Sequence, residues 1–367
     1  MEFIDIKKQY RLYKTEIDNA IHEVLDAGHF IMGPQVKSLE QALAHYVEAK
    51  HCIGAASGTD TLEMALRALE IGPGDEVITT PFTWISSAEV IGLVGAKPVF
   101  VDIEQDYYNL DLEQLEAAIT PRTRAIISVN LFGQLPDYDK INALAKKHEL
   151  AVIEDAAQSF GATQRGRKSC NVTLVASTSF FPAKTLGCYG DGGALFTNDD
   201  ALAARLRAIR THGGEVRHHH PYLGMNGRLD TLQAAILLAK FPHFPAEVEA
   251  RLAIGKRYSE LLGECCVIPK VMPGNTHVYH QYTIRLKERD LLGEELKKQG
   301  IPSAVYYPKC VHLQPVFADL GYKPGSMPVA EKAAAEVISL PMHPWLSEQE
   351  QDQVVACVKN FLLAKVS

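Results

Sequence analysis

The sequence lacks the features that mark disulfide-rich, zinc-binding and membrane-spanning proteins. Its seven cysteines are scattered, and no two of them have the C-x-x-C spacing common in zinc sites. The odd number also argues against a disulfide framework, so we expect a reducing compartment, the cytoplasm. No apolar run reaches the roughly 18 residues that a membrane span needs. The amino terminus, MEFIDIKKQYRLYK, lacks the apolar core of a signal peptide.

An excess of charge of one sign is also missing. The chain has 37 Lys and Arg against 44 Asp and Glu, a net charge of -7, with the two signs interspersed. This distribution argues against a basic face for nucleic acid or for a membrane, and we expect neither partner. The 367 residues, of which 47% are apolar, suffice for two domains or one large α/β unit.

The first part of the chain alternates strand-like and helical segments. It opens with a short strand-like FIDI run, followed by helical patterns at 15–27 and 35–48 with a loop at 29–34 between them. From residue 51 onward, the apolar strand-like runs are 52–55, 76–80, 98–102, 125–129 and 151–154. The helical patterns between these runs are 59–70, 84–94, 111–118 and 137–147. This alternation predicts an α/β fold with a mainly parallel central sheet and helices on both faces.

A break follows near residue 240, where Pro242 and Pro245 come after an amphipathic helical pattern at 229–240. We therefore predict a large domain, residues 1–240 including an N-terminal arm, and a smaller α+β domain, residues 241–367. The elements predicted in the smaller domain are helix 246–262, strand 278–284, helix 290–299, strand 303–307, and helices 328–338 and 347–364. The last helix begins with a capping box from Ser347 to Glu350.

Two charged side chains follow strand-like runs. Asp155 comes after the apolar run at 151–153, where a buried parallel strand should end at the sheet edge that binds ligands in open α/β folds. Lys184 comes after the β-branched and aromatic run 172–181 and before several glycines, and burial there would lower the pKa of its amine. A lysine amine can form a Schiff base with an aldehyde. Pyridoxal phosphate (PLP) also needs a carboxylate beside its ring nitrogen, so the pair suits this cofactor.

A phosphate site is predicted upstream, at Ser57-Gly58-Thr59. Gly58 and Thr59 stand just before a helical pattern, and backbone N–H groups at a helix N-terminus, aided by hydroxyls, bind phosphate. Each of these features also has an ordinary interpretation. The tripeptide could be only a helix cap, Asp155 a turn residue and Lys184 a surface charge. Together, and in this order, they predict one PLP site.

Four motifs make the pattern more specific. They are SGTD, EDAAQS, TSFFPAKTLGCYGDGGALFTND and MNGRLDTLQAAIL. In this order and spacing they resemble the DegT family of sugar-nucleotide aminotransferases, which have the PLP-dependent transferase fold type I of the aspartate aminotransferase superfamily. The resemblance covers nearly the whole chain. It is greatest for the branch that aminates the 3-keto group of a UDP-2-acetamido-2-deoxy-hexuluronic acid for bacterial surface polysaccharide (O-antigen).

The resemblance implies roles for further residues around the catalytic Lys184. Trp84 would stack on the cofactor ring, Gln158 would bond its phenolic oxygen, and Ser179 would donate to its phosphate. From sequence alone, Trp84 could equally pack in the core at a helix start, and the other two could be ordinary turn and strand residues. Asn226 would reach the phosphate in the neighbouring subunit, which implies a homodimer with shared sites.

Three further residues are candidates for contact with the substrate: Arg228, Tyr307 and His312. The guanidinium of Arg228 could hold a carboxylate bidentately, or it could equally pair with Asp230 or Glu215 at the start of a helix. Tyr307 and His312 lie in a tract that resembles the family's substrate-facing segment, although Tyr306 stands where histidine is common. The consecutive histidines at 218–220 would point in different directions, so we expect no metal site there.

The resemblance implies an enzyme that moves an amino group from glutamate to a keto sugar nucleotide, with Lys184 carrying the proton as general base and acid. A 4-keto-6-deoxy sugar nucleotide is an alternative substrate. A non-catalytic PLP or sugar-nucleotide sensor is an alternative from another class. A P-loop nucleotide binder is disfavoured, because Lys184 precedes its glycines instead of following them.

Overall fold

The computed structural model describes residues 1–214, 216 and 218–364. Within this part of the chain, seven strands form the central sheet and four further strands form two small antiparallel sheets. The strands are β1 (His51–Ala55), β2 (Glu76–Thr79), β3 (Lys97–Phe100), β4 (Thr123–Val129), β5 (Ala151–Asp155), β6 (Thr163–Gln164), β7 (Arg167–Lys168), β8 (Val175–Ser179), β9 (Gly193–Thr197), β10 (Tyr282–Arg285) and β11 (Val337–Leu340).

The order of the central sheet is β1-β9-β8-β5-β4-β2-β3. The pairs β2/β3, β2/β4, β4/β5 and β5/β8 are parallel, whereas β9 is antiparallel to both β1 and β8. The prediction of a mainly parallel sheet is therefore confirmed. Because β5 and β8 are neighbours, the carboxyl end of β5 at Asp155 lies beside the strand that leads to Lys184.

The helices are α1 (Ile6–Leu12), α2 (Lys14–Ala27), α3 (Pro34–Val47), α4 (Gly58–Ala68), α5 (Ser86–Leu93), α6 (Leu112–Leu115), α7 (Tyr138–Lys147), α8 (Asp200–Arg210), α9 (Thr231–Lys240), α10 (Phe244–Leu262), α11 (Arg289–Lys298), α12 (Pro328–Glu336) and α13 (Glu348–Leu363). Several begin where a side-chain oxygen accepts a first-turn N–H, as at Ser57 before α4 and Asp137 before α7. The predicted capping box before α13 is present.

Both faces of the sheet are buried, because successive strand residues point to opposite sides. In β5, Val152 belongs to the cluster covered by α3, α7 and α9, and Ile153 belongs to the cluster covered by α4 and α8. Ile126 and Ile127 in β4 divide in the same way. The two-layered core fixes the register of the strands, and with it the position of the side chains at their carboxyl ends.

A third core lies in the C-terminal part, where the two-stranded antiparallel sheet of β10 and β11 packs with α11 and α13. The helix α10 contributes to two cores, since Phe244 and Val248 join the large one while Ile254 and Tyr258 join the smaller one. The division between residues 240 and 241 stays a prediction. None of the helices described here is long and apolar enough to cross a membrane.

Several local predictions are wrong. The FIDI run is not a strand, because the Asp5 carboxylate accepts the Lys8 N–H and starts α1 at Ile6. The run 303–307 forms only a bridge between Ala304 and Ser339. The strand predicted at 278–284 is shorter, starting at Tyr282. The helix predicted from residue 84 begins at Ser86, so Trp84 lies in the preceding loop.

Candidate active site

A cavity of about 380 Å³ opens at the carboxyl ends of β4, β5 and β8, beside the N-termini of α4 and α5. Two segments of the C-terminal part, at 280–281 and 306–307, contribute to its wall, as do Ile4 and residues of the segments 181–184 and 191–192. Eight of the predicted site residues line this cavity: Gly58, Thr59, Trp84, Asp155, Gln158, Ser179, Lys184 and Tyr307. The topology thus brings together residues that are far apart in the sequence.

Asp155 and Lys184 both line this cavity, and the charge of each acts on the pKa of the other. Burial lowers the pKa of Lys184 to about 8, against a smaller opposing effect of the Asp155 carboxylate. Burial raises the pKa of Asp155, while hydrogen bonds and the Lys184 charge oppose that rise. The bonds come from the Ser87 hydroxyl at 2.8 Å and from the Ala157 N–H at 3.2 Å. Hydrogen bonds therefore hold the carboxyl group of Asp155 in place, and Lys184 loses its proton more readily than an exposed lysine.

The predicted phosphate site is the first turn of α4. Ser57 caps the helix by accepting the Asp60 N–H at 3.0 Å, and Thr61 N–H bonds the Ser57 carbonyl. Among the described residues, no hydrogen-bond acceptor is found for the amides of Gly58 and Thr59, which suits an anion. Thr59 Oγ1 also lies 2.7 Å from Ser86 Oγ.

Close backbone approach explains the glycines here. A Cβ at Gly58 would lie 2.7 Å from the Cβ of Ser179, so only glycine lets α4 start against β8. A Cβ at Gly193 would lie 2.6 Å from the Ser57 carbonyl. Ser179 is thereby held beside the first turn of α4, and its Oγ accepts the Phe181 N–H at 3.2 Å.

Gln158 is fixed at both ends of its amide. Its Oε1 accepts the Phe132 N–H at 2.7 Å, and its Nε2 donates to the Tyr307 hydroxyl at 3.1 Å. Burial raises the pKa of Tyr307, so this phenol stays protonated. One N–H of the Gln158 amide remains for a ligand, as the predicted contact with a phenolic oxygen would require.

Trp84 lies at the rim of the cavity and is 59% exposed, which rules out the alternative of core packing. Its ring lies 6.2 Å from that of Tyr307, at an angle of 43°. Phe181, also about half exposed, lines the same cavity. These aromatic side chains give the mouth an apolar surface on which a flat ring can stack.

Asn226 and Arg228 do not line this cavity. They lie in an adjacent cleft together with Ile31, Gly190 and Gln233, and Asp191 borders both spaces. Asn226 is exposed, and the Nε of Arg228 is buried without a hydrogen-bond partner among the described residues. Within the same part of the chain, no ion pair joins Arg228 to Asp230. The other predicted partner, Glu215, lies outside the described residues.

His312 is not brought to the site. Its side chain is fully buried under the C-terminal part, where Nε2 lies 3.2 Å from the Glu331 carboxylate and the ring contacts Phe100 and Tyr322. A ring enclosed in this way has no face for a substrate. The resemblance of the surrounding tract correctly indicates Tyr307 as a cavity residue, but the structure does not support its extension to His312.

Several residues of the cavity are missing from the sequence prediction: Ile4, Ser86, Ser87, His280, Gln281 and Tyr306. The paired hydroxyls of Ser86 and Ser87 could have been noticed at the start of a helix, where such residues often bind ligands or amides. His280 and Gln281 carry a weaker signal, two polar residues inside an otherwise buried strand-like run. In the described part of the chain, no group of three His, Cys, Asp or Glu side chains could hold a metal ion.

The arrangement fits the predicted cofactor. A helix N-terminus with free amides and hydroxyls suits its phosphate, and a buried carboxylate suits its ring nitrogen. An amine of lowered pKa suits its aldehyde. When bound, PLP would be held by Gly58, Thr59, Ser179, Asp155 and Lys184.

Comparison with known proteins agrees with this geometry. The model of the DegT/DnrJ/EryC1/StrS aminotransferase family matches residues 12–359. The UDP-2-acetamido-2-deoxy-3-oxo-D-glucuronate aminotransferase of Pseudomonas aeruginosa is 50% identical over 361 residues, which are 98% of this chain and 100% of that protein.

Solved structures give the same result. A DegT DnrJ EryC1 StrS aminotransferase from Brucella abortus has a TM-score of 0.96 and 43% identity, with 99% of each chain covered. The structure of ntda from Bacillus subtilis with bound cofactor PMP has a TM-score of 0.90 and 30% identity, covering 96% of this chain and 82% of that one. The chain thus has the fold of PLP-dependent aminotransferases, and it belongs to the DegT/DnrJ/EryC1/StrS family as a PLP-dependent sugar-nucleotide aminotransferase.

Proposed function

We propose that this aminotransferase moves the amino group of glutamate to the 3-keto group of a UDP-2-acetamido-2-deoxy-hexuluronic acid, for bacterial surface polysaccharide (O-antigen). The observation that carries this substrate is the 50% identity, over nearly the full chain, to a relative named for a UDP-2-acetamido-2-deoxy-3-oxo sugar acid. The geometry supports the reaction class, because an amine of lowered pKa and a fixed carboxylate share one cavity.

The cofactor would supply an electron sink, its protonated pyridine ring, for the electron pair left when a proton leaves the carbon that bears the amino group. Lys184 is the group that takes and returns this proton at Nζ. A pKa of about 8 leaves a useful fraction of its amine uncharged near neutral pH, while the charged form can still donate.

The surrounding residues orient and protect this exchange. Asp155, held by Ser87 and the Ala157 N–H, places a negative charge where the ring nitrogen must stay protonated. Gln158, fixed by the Phe132 N–H and Tyr307, aims one N–H into the cavity. The exposed ring of Trp84 would cover one face of the cofactor and exclude water from it.

We propose that the enzyme is a homodimer in which Asn226 and Arg228 serve the partner's cavity. Both lie in a cleft outside the cavity of their own chain, and Asn226 is exposed. Exposed apolar side chains around this region, among them Phe30, Ile31 and Phe181, favour a covered surface. Arg228, with its unpartnered Nε, would hold the uronic carboxylate. The free thiols of all seven cysteines favour the cytoplasm.

Amination rates on a 3-keto uronic and a 4-keto-6-deoxy sugar nucleotide test this proposal. We expect the uronic substrate to have the higher kcat/KM, and Arg228→Gln to lower that value for the uronic substrate alone. Preference for the deoxy sugar would refute the role of Arg228. If the protein bound PLP and sugar nucleotides but transaminated neither substrate, a sensor would be the better interpretation.

A further inference from the structure

The segment 277–281, which borders the cavity, has a strained backbone. Tyr279 has φ +46°, in the left-handed region that residues with large side chains rarely adopt. Its ring is buried and stacks on His277, with centroids 4.2 Å apart and an angle of 13°. A Cβ at Gly255 would lie 2.3 Å from this ring, so α10 provides the space with a glycine. Such strain persists only where the surroundings fix it, and it is common at functional sites.

Two hydrogen bonds from other elements hold the same segment. The guanidinium of the buried Arg251 donates to the Tyr279 carbonyl at 3.1 Å, and the Val278 N–H donates to the Gly133 carbonyl at 2.9 Å. Gly133 has φ +121°, and a Cβ there would lie 2.9 Å from the Tyr279 nitrogen. The loop after β4 and the helix α10 therefore fix this backbone together.

The consequence of this conformation is the direction of the next two side chains. His280 and Gln281 both line the cavity that contains Lys184, although each is only 5% exposed. In the described structure, His280 Nδ1 and Gln281 Oε1 are buried and have no hydrogen-bond partner. A buried polar atom without a partner is costly, so two of them at a cavity wall indicate a ligand that completes the bonds.

The chemistry of these atoms restricts that ligand. Burial, together with the charges of Lys184 and Arg251, lowers the pKa of His280 well below its ordinary value, so the imidazole is neutral. Gln281 Oε1 can only accept, and a carboxylate would place two acceptors together. The missing partner of Gln281 must therefore carry an O–H or N–H. The glutamate donor offers two carboxylates, and its only N–H groups belong to the amino group that is transferred. An acetamido-hexose offers hydroxyls and an amide N–H that take no part in the transfer.

We propose that His280 and Gln281 bind the hexose of the sugar nucleotide through its hydroxyl or acetamido N–H groups. This inference rests on the proposed function and names two residues for the recognition of its acceptor. The strained segment places them in the part of the cavity wall that the C-terminal part of the chain supplies.

The test is a pair of variants, Gln281→Met and His280→Phe, with Gln351→Met as a matched control. Gln351 is a buried glutamine that bonds the Ile254 carbonyl and lies outside the cavity. Calorimetry would measure the binding of UDP-N-acetylglucosamine and of UDP to each purified, PLP-loaded protein. We expect each cavity variant to bind the sugar nucleotide about 10- to 100-fold more weakly. UDP, which has no hexose, should bind all four proteins equally.

The glutamate half-reaction, followed through the yellow absorbance of the loaded protein, provides the second readout. Both cavity variants should lose less of this half-reaction than of their affinity for the sugar nucleotide, because the hexose takes no part in it. Unchanged sugar-nucleotide binding in both variants, or an equal loss of UDP binding, would overturn the inference. Equal affinity of the wild-type protein for UDP and for UDP-N-acetylglucosamine would also overturn it. A protein that binds the hexose through these residues but aminates no keto sugar would refute only the proposed function.

Discussion

The Ser87→Ala substitution tests whether Asp155 is held as a carboxylate for the cofactor. The Ser87 hydroxyl donates to Asp155 Oδ2 at 2.8 Å in a buried setting, and a hydrogen bond to a charged group contributes about 1.5–3 kcal/mol. The bond favours the charged form, so its loss should raise the pKa of Asp155 further. The affinity for a protonated pyridine ring should fall with it.

Pyridoxamine phosphate is the suitable ligand, because it has no aldehyde and forms no bond with Lys184. In a fluorescence titration of the apo protein at pH 7, we expect Ser87→Ala to raise its Kd about 10- to 100-fold. The loss should grow at lower pH, where more of the variant's Asp155 is protonated. Ser259→Ala, which removes a partly buried hydroxyl that bonds the Gly255 carbonyl and does not line the cavity, is the control. A change of less than twofold in Ser87→Ala, or an equal change in the control, would refute the reasoning.

Other predictions concern the lysine, the phosphate site and the dimer. Lys184→Ala should abolish turnover while the protein still binds pyridoxamine phosphate; measurable turnover would contradict the assignment. In wild type, the rate of PLP attachment should rise with pH and level off above about 8, because the attacking amine must be uncharged; levelling near an ordinary lysine pKa of about 10.4 would contradict the burial effect. Gly58→Ala should weaken the binding of phosphate-containing ligands, since its Cβ would lie 2.7 Å from Ser179 Cβ. If the variant lost affinity for pyridoxamine phosphate and for pyridoxamine, which lacks the phosphate, to the same extent, the first turn of α4 would not be a phosphate site. Asn226→Ala should weaken cofactor binding only where sedimentation shows a dimer; a monomeric, fully active protein would exclude shared sites.

The sequence predicts the residues at the centre of the site, because a small number of local rules suggest their positions. Asp155 ends a buried parallel strand, and the run before Lys184 is the neighbouring strand β8, so both must meet at one edge of the sheet. The Ser57 cap and the glycine at residue 58 follow from the helix start in the same way. Strand ends and helix capping therefore predict the residues of this half of the cavity, whereas the pairing of β5 with β8 is a result of the fold.

The other half depends on contacts between distant segments. His280 and Gln281 face the cavity only because Arg251 and Gly133 hold the backbone at Tyr279 in a left-handed conformation, which no local pattern announces. The position of His312 likewise depends on a distant residue, because its buried imidazole contacts the carboxylate of Glu331. The prediction of a strand at the FIDI run was wrong for a different reason, since the Asp5 carboxylate caps a helix and outweighs a weak strand propensity.

We propose that Lys184 and Asp155 form the PLP site of this sugar-nucleotide aminotransferase. The most direct test is the visible absorption spectrum of the purified protein with PLP, recorded before glutamate, after glutamate, and after the 3-keto uronic sugar nucleotide. We expect a yellow band that glutamate bleaches and the keto sugar restores, with neither change in Lys184→Ala. A band that fails to form, or one that bleaches but is not restored by any keto sugar nucleotide, would contradict it.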